Sequence, residues 1–183
     1  MKTFNLAILL SLITTVSCTA VVAAQDSHVS VQDITEPKKL LEVNFVDPDT
    51  VSGEEEKVLQ SLKAIYEAYL RGDWETFAKY LDSACTKYDG DTKLSFSGSK
   101  AIVERLQQEL ANYNKSDSPL VSYTVDHPYA RVKGDMATVT FLAIRVYGGK
   151  HPAKYESHCS DIFLKEDGMW KKVYYRSDWK LVK

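Results

Sequence analysis

The stretch LVSYTVDHPYARVKGDMATVTFLAIRVYGGKHPAKYESHCSDIFLKEDGMWKKVYYRSDWKLV, residues 120–182, decides the fold. It divides into four strand-like runs. Lys133-Gly134-Asp135 and Glu166-Asp167-Gly168 each supply a tight hairpin turn, and residues 148–152 supply a looser one. Along the second run Ala137, Val139, Phe141 and Ala143 recur at every second place, the spacing of a half-buried strand. Strands joined in this way form an antiparallel meander.

The chain before this stretch is helical. In residues 52–73, Val58, Leu62, Ile65 and Tyr69 fall at helical spacing, and Leu59, Tyr66 and Leu70 widen the apolar stripe. Ser52 is the expected cap, Glu54–Glu56 suit the positive end of the helix dipole, and Gly72 ends the helix. Asp73 then caps a short second helix whose Trp74, Phe77 and Leu81 form one face. Residues 85–98 read as short extended segments around a turn. Ser99 is the expected cap of a third helix, with Ile102, Val103, Leu106 and Leu110 on its buried side. Helices first and strands after is an α+β order: three N-terminal helices packed on one strongly curved antiparallel sheet.

Of the 183 residues, 44% are hydrophobic, enough for one core and one domain. The formal charge is −2 with no polybasic block, which argues against a nucleic-acid partner. At the N-terminus Lys2 precedes the apolar run Leu6–Val16, and small residues lead to Gln25. Residues 1–24 therefore read as a signal peptide, its apolar run too short for a membrane span of about 20 residues. A second reading of residues 15–18, TVSC, is a lipid anchor on Cys18, although Thr15 fits such a box poorly. Either way the expected location is outside the cytoplasm, periplasmic or secreted. Residues 25–53 read as a flexible leader and 54–183 as the domain. Cys85 and Cys159 are expected as buried free thiols, because a core of this size needs no staple; export leaves a disulfide as the alternative.

AIYEAYLRGDWETFAKYL (64–81), GSKAIVERL (98–106), VKGDMATVTFLAIRVY (132–147) and SDIFLKEDGMWKKVYYRSD (160–178), in this order and spacing, resemble the SnoaL-like branch of the nuclear-transport-factor-2-like superfamily. The resemblance covers residues 54–182. It implies a cone: a curved antiparallel sheet wrapped round a long helix, with a pocket at the wide end and an outer face that often builds homodimers. The same cone hosts isomerases, cyclases, dehydratases, binding domains and assembly modules, so it implies no single activity. Relatives with this Asp-Gly-x-Trp ending often carry His near the C-terminus, where this chain has Tyr174, Arg176 and Asp178.

On a regular strand Tyr174, Arg176 and Asp178 share one face. Facing a pocket, Tyr and Arg would be donors and Asp a base, as an isomerase or cyclase requires; facing out, Arg and Asp would be a surface pair. Arg145 and Tyr147 continue the apolar face of Phe141 and Ala143, where an unpaired Arg is costly. Two readings follow: a buried Arg145–Asp161 pair, or an anion-recognising Arg in the pocket. Tyr66 and Trp74 are expected in the pocket lining with Tyr147, Arg145 and Arg176, and the catalytic candidates are Asp178, Asp161 and Tyr174. His127, before Pro128, reads as a bulge or surface residue, or as an acid–base group. His28, His127, His151 and His158 lack metal-ligand spacing, and no G-x-G-x-x-G occurs. Neither a metal nor a cofactor is expected. The expected function is an exported domain binding a small apolar or anionic molecule. The alternatives are an isomerase or cyclase using a pocket carboxylate, and an oligomerisation or partner-binding module.

Overall fold

The computed structural model describes residues 43–45, 53–89 and 93–182. The signal-like segment, the possible lipid site at Cys18 and the proposed Ser52 cap lie outside the described residues.

Helix α1 spans Glu54–Arg71 and α2 spans Trp74–Lys79. Gly72, in the left-handed conformation, closes α1, its N–H directed at the Ala68 and Tyr69 carbonyls. Asp73 caps α2 by accepting from the Thr76 N–H at 3.1 Å. Helix α3 spans Ser99–Lys115. Ser99 is its first helical residue and not its cap; Gly98 holds that place, with no side-chain cap bond.

Among the described residues eight strands make one sheet: β1 Val43–Phe45, β2 Leu81–Asp89, β3 Lys93–Ser97, β4 Leu120–Lys133, β5 Met136–Tyr147, β6 Ala153–Glu166, β7 Met169–Ser177 and β8 Trp179–Leu181. Their order is β1-β4-β5-β6-β7-β2-β3, with β8 also on β6. The β4–β7 meander is antiparallel as expected. Two pairings are not: β1 runs parallel to β4, and β2 parallel to β7, so the curved, open sheet is mixed. Strand β1 lies inside the stretch read as a leader. The β6–β7 turn has Asp167 at φ 50° and Gly168 at φ 80°, the two left-handed residues that a tight hairpin demands.

Two irregularities decide which side chains enter the core. In β4 the register with β5 slips between Asp126 and Tyr129, where His127 adopts φ 46° and Pro128 is buried. Tyr123 and Val125 before the slip, and Ala130 after it, are all buried. In the β6–β7 pairing the register slips between Ile162 and Phe163. Lys172 opposes Phe163 and Tyr175 opposes Asp161, so Val173 is the extra residue and the strand's alternation reverses there.

Helix α1 lies against the concave face with Val58, Leu62, Ile65 and Tyr69 buried, beside Val139, Phe141, Phe163 and Trp170 of the sheet. Leu62 is fully enclosed, and its truncation to Ala would cost roughly 2–5 kcal/mol. Glu54, at the start of α1, accepts from Trp170 Nε1 at 3.0 Å and pairs with Lys165 Nζ at 2.9 Å. That contact fastens the helix to the last hairpin. Cys85 and Cys159 are free and buried, and burial pushes both thiols up to about 12. Among the described residues no helix is long and apolar enough to cross a membrane.

Candidate functional site

A cavity of about 670 Å³ lies between the helices and the concave face of the sheet. Its walls carry nine aromatic rings and hold two ion pairs at different depths. Such a volume suits a small organic molecule.

The deeper pair joins β6 to β7. Lys172 Nζ is 2.6 Å from Asp161 Oδ2, and both side chains are almost wholly buried. The approach is off the line of a good hydrogen bond, and neither Asp161 oxygen takes an aligned one. Burial pushes the Asp161 carboxyl above the usual range, against the pull of the Lys172 ammonium. The ammonium stands 5.1 Å from the Tyr66 ring centre and 5.0 Å from that of Tyr175. Burial also drives the Tyr66 hydroxyl far above its ordinary value, so it remains a neutral donor.

The second pair joins α3 to β5. Arg145 Nη1 is 3.0 Å from Glu109 Oε1, and the Tyr113 hydroxyl donates to the same oxygen at 2.8 Å. The guanidinium lies over the Trp179 ring at 4.0 Å and over Tyr123 at 5.4 Å. Cation–π attraction of this kind is worth about 0.5–2 kcal/mol and holds the planar group against the wall. Tyr123 stacks on Tyr66 at 5.2 Å, so two stacked rings separate the two ion pairs.

The expected Arg145–Asp161 pair does not form. Arg145 opposes Tyr155 across the sheet, while Asp161 opposes Val139 and Tyr175. Arg145 pairs instead with Glu109, and Asp161 with Lys172. Of the two readings of Tyr174, Arg176 and Asp178, facing a pocket or facing out, the structure gives the second for Tyr174 and Asp178. The slip at Val173 places Lys172 and Tyr175 on the inner side; Tyr174 packs on Tyr88 at 5.6 Å and does not line the cavity. Asp178 does not line it either, and its backbone N–H donates to Ser157 Oγ. Arg176 is exposed and reaches the rim. Tyr66, Tyr147, Arg145 and Asp161 line the cavity. Trp74 stands behind the wall, edge-on to Tyr69 and Phe77. His127 is 80% exposed and bonded to Asp126, far from the aromatic cavity lining.

Glu109 could have been found from sequence. Leu106, Glu109 and Tyr113 follow one another at helical spacing along the side of α3 that borders the cavity. Lys172 could have been found by counting two places from the buried Trp170.

The family model described as the SnoaL-like domain matches residues 58–177. Among curated proteins none matches the chain. Several solved structures are similar. One is an NTF2-like-family protein from Streptomyces avermitilis, provisionally assigned as a dehydratase. It has 19% identity and a TM-score of 0.58, covering 70% of this chain and 97% of that one. The CaMKII hub of S. rosetta has 19% identity and a TM-score of 0.56, covering 72% and 100%. A cystatin-like fold protein from Caulobacter vibrioides has 17% identity and a TM-score of 0.57, covering 72% and 92%. Likenesses at this identity establish the fold alone.

Proposed function

The chain belongs to the SnoaL-like domain family, and on that premise we propose that its cone cavity binds a small anionic molecule with an apolar body. The observation that carries this reading is the composition of the wall. Among the described residues Lys87, Arg105, Arg145, Lys172 and Arg176 line it, against the carboxylates of Glu109 and Asp161. Nine aromatic rings, among them those of Tyr66, Tyr123 and Trp179, line it as well and suit the body of the ligand. A cavity lined in this way attracts negative charge and strengthens each charge–charge contact by excluding water. Titration of Trp179 fluorescence with benzoate, and with neutral benzamide as control, tests the reading. Saturable quenching by benzoate alone supports it. Equal response to both, or none, contradicts it. An isomerase or cyclase built on Tyr174 and Asp178 is not favoured, since neither lines the cavity.

A second feature favours self-association. Tyr129, Met136 and Leu164 are exposed large apolar residues on β4, β5 and β6, and Met136 and Leu164 are direct cross-strand neighbours. Exposed apolar surface on a sheet face is costly unless covered, and a solved structure of similar fold is a kinase hub. We propose a homodimer through this face, measurable by light scattering, with Met136→Glu giving the monomer. Export is proposed from the N-terminal sequence alone. N-terminal sequencing of the secreted protein distinguishes Gln25 from lipidated Cys18.

A further inference from the structure

We propose that Lys172 is a carbonyl-condensing amine, forming a Schiff base with a small aldehyde or ketone admitted to the cavity. The inference rests on the reading that this cavity binds small anions, and it adds a reacting group to it.

The geometry has three parts. Lys172 belongs to the cavity wall, yet its side chain is only 3% exposed, so an incoming molecule meets the amine in an aromatic enclosure. Phe163, Tyr66 and Tyr175 surround it, with ring centres 5.0–5.6 Å from Nζ. Asp161 stands against it, with both carboxylate oxygens closed to solvent. A lysine enclosed in this way is the arrangement that amine catalysis uses, provided a base takes its proton. Asp161 is that base. Its oxygens are closed to solvent and within reach of the Lys172 ammonium, and burial favours its neutral form against the pull of Lys172.

The steps balance without any further reagent. Lys172 passes one ammonium proton to Asp161, leaving an amine beside a carboxylic acid. The nitrogen lone pair attacks the carbonyl carbon, a C–N bond forms, and the carbonyl π pair moves to oxygen. That oxygen takes the Asp161 proton, while the new nitrogen cation returns one to Asp161, giving a neutral carbinolamine. Asp161 then protonates the hydroxyl, which leaves as water as the nitrogen pair closes the C=N bond. The products are an iminium on Lys172, the Asp161 carboxylate as its counter-ion, and one water. Aromatic walls shield the iminium from hydrolysis, and the cations of the wall suit a substrate that carries its own carboxylate.

The probe is 4-formylbenzoate, incubated with the full chain and cyanoborohydride, followed by peptide mass mapping. A parallel titration of Trp179 fluorescence with benzoate reports binding without reaction. We expect the reduced adduct on Lys172 at about tenfold or more above any exposed lysine, suppressed by benzoate. Adducts on exposed lysines alone, while benzoate still quenches Trp179, overturn the amine and leave the binding reading standing. No Lys172 adduct and no quenching overturn both. Lys172→Met alone strands a buried carboxylate, so the paired variant Lys172→Met with Asp161→Leu is the control. It should fold, as read by circular dichroism, and lose the adduct; an unchanged adduct pattern in it contradicts the assignment.

Discussion

Lys172 and Asp161 form an ion pair of 2.6 Å across β6 and β7, in a part of the cavity that bulk water does not reach. Such a pair is held by mutual need more than by net gain, because desolvation offsets most of the attraction. Asp161→Asn or Lys172→Met should each cost about 3–5 kcal/mol, since each leaves its partner buried and unpaired. Replacing both with apolar residues should cost far less than the two single changes together. Urea unfolding followed by circular dichroism measures all three variants, and additive losses would contradict the pairing.

Glu54 links stability to acid. Its carboxyl is held down to about 2, chiefly by Lys57, then by Lys165 and Trp170. A depressed carboxyl contributes stability above its ordinary value of 4.5, and this is lost as pH falls toward about 2. Glu54→Gln should therefore lower the melting temperature near neutral pH, and the gap from the parent should close between pH 4.5 and 2. Trp170, which donates to Glu54, gives a fluorescence probe of the same contact. A gap that stays constant across the range would show that Glu54 acts through shape alone.

Glu109 competes with an incoming anion for Arg145. Glu109→Gln should raise benzoate affinity about tenfold, by removing the negative charge that now neutralises the guanidinium. Arg145→Gln should lower affinity by a similar factor and also loosen the stack on Trp179. Calorimetric titration of the two variants reads opposite signs if the anion sits here. Equal effects in the same direction would place it elsewhere.

Tyr174→Phe and Asp178→Asn should leave benzoate binding unchanged within twofold or so, because neither residue lines the cavity. Tyr66→Ala, which removes the ring between the two ion pairs, should weaken binding and expose Lys172. The same titrations check these variants. A large loss on changing Tyr174 would mean that the ligand lies on the outer face.

The fold could be read from the chain because its punctuation is local. Asp167-Gly168 can take the two left-handed conformations of a tight turn, and Asp73 caps a helix in any context. The site was only partly legible, for a reason that is also local. Alternation counted from the buried Trp170 assumes an unbroken strand, whereas one extra residue at Val173 moves each later side chain to the opposite face. No residue type at Val173 announces that slip; it follows from pairing with β6. The partner of Arg145 was hidden for a different reason. Glu109 lies 36 positions away on a helix, and only the packing of α3 over the open end of the sheet brings the two together.

The central claim is that the cavity between the helices and the concave face receives a small anion. A crystal structure of the chain grown with benzoate tests this most directly. The ring should lie between the aromatic walls near Tyr66 and Tyr123, with its carboxylate directed at the cations that line the cavity. An empty cavity at saturating benzoate, or benzoate found only on the outer face of the sheet, would contradict it.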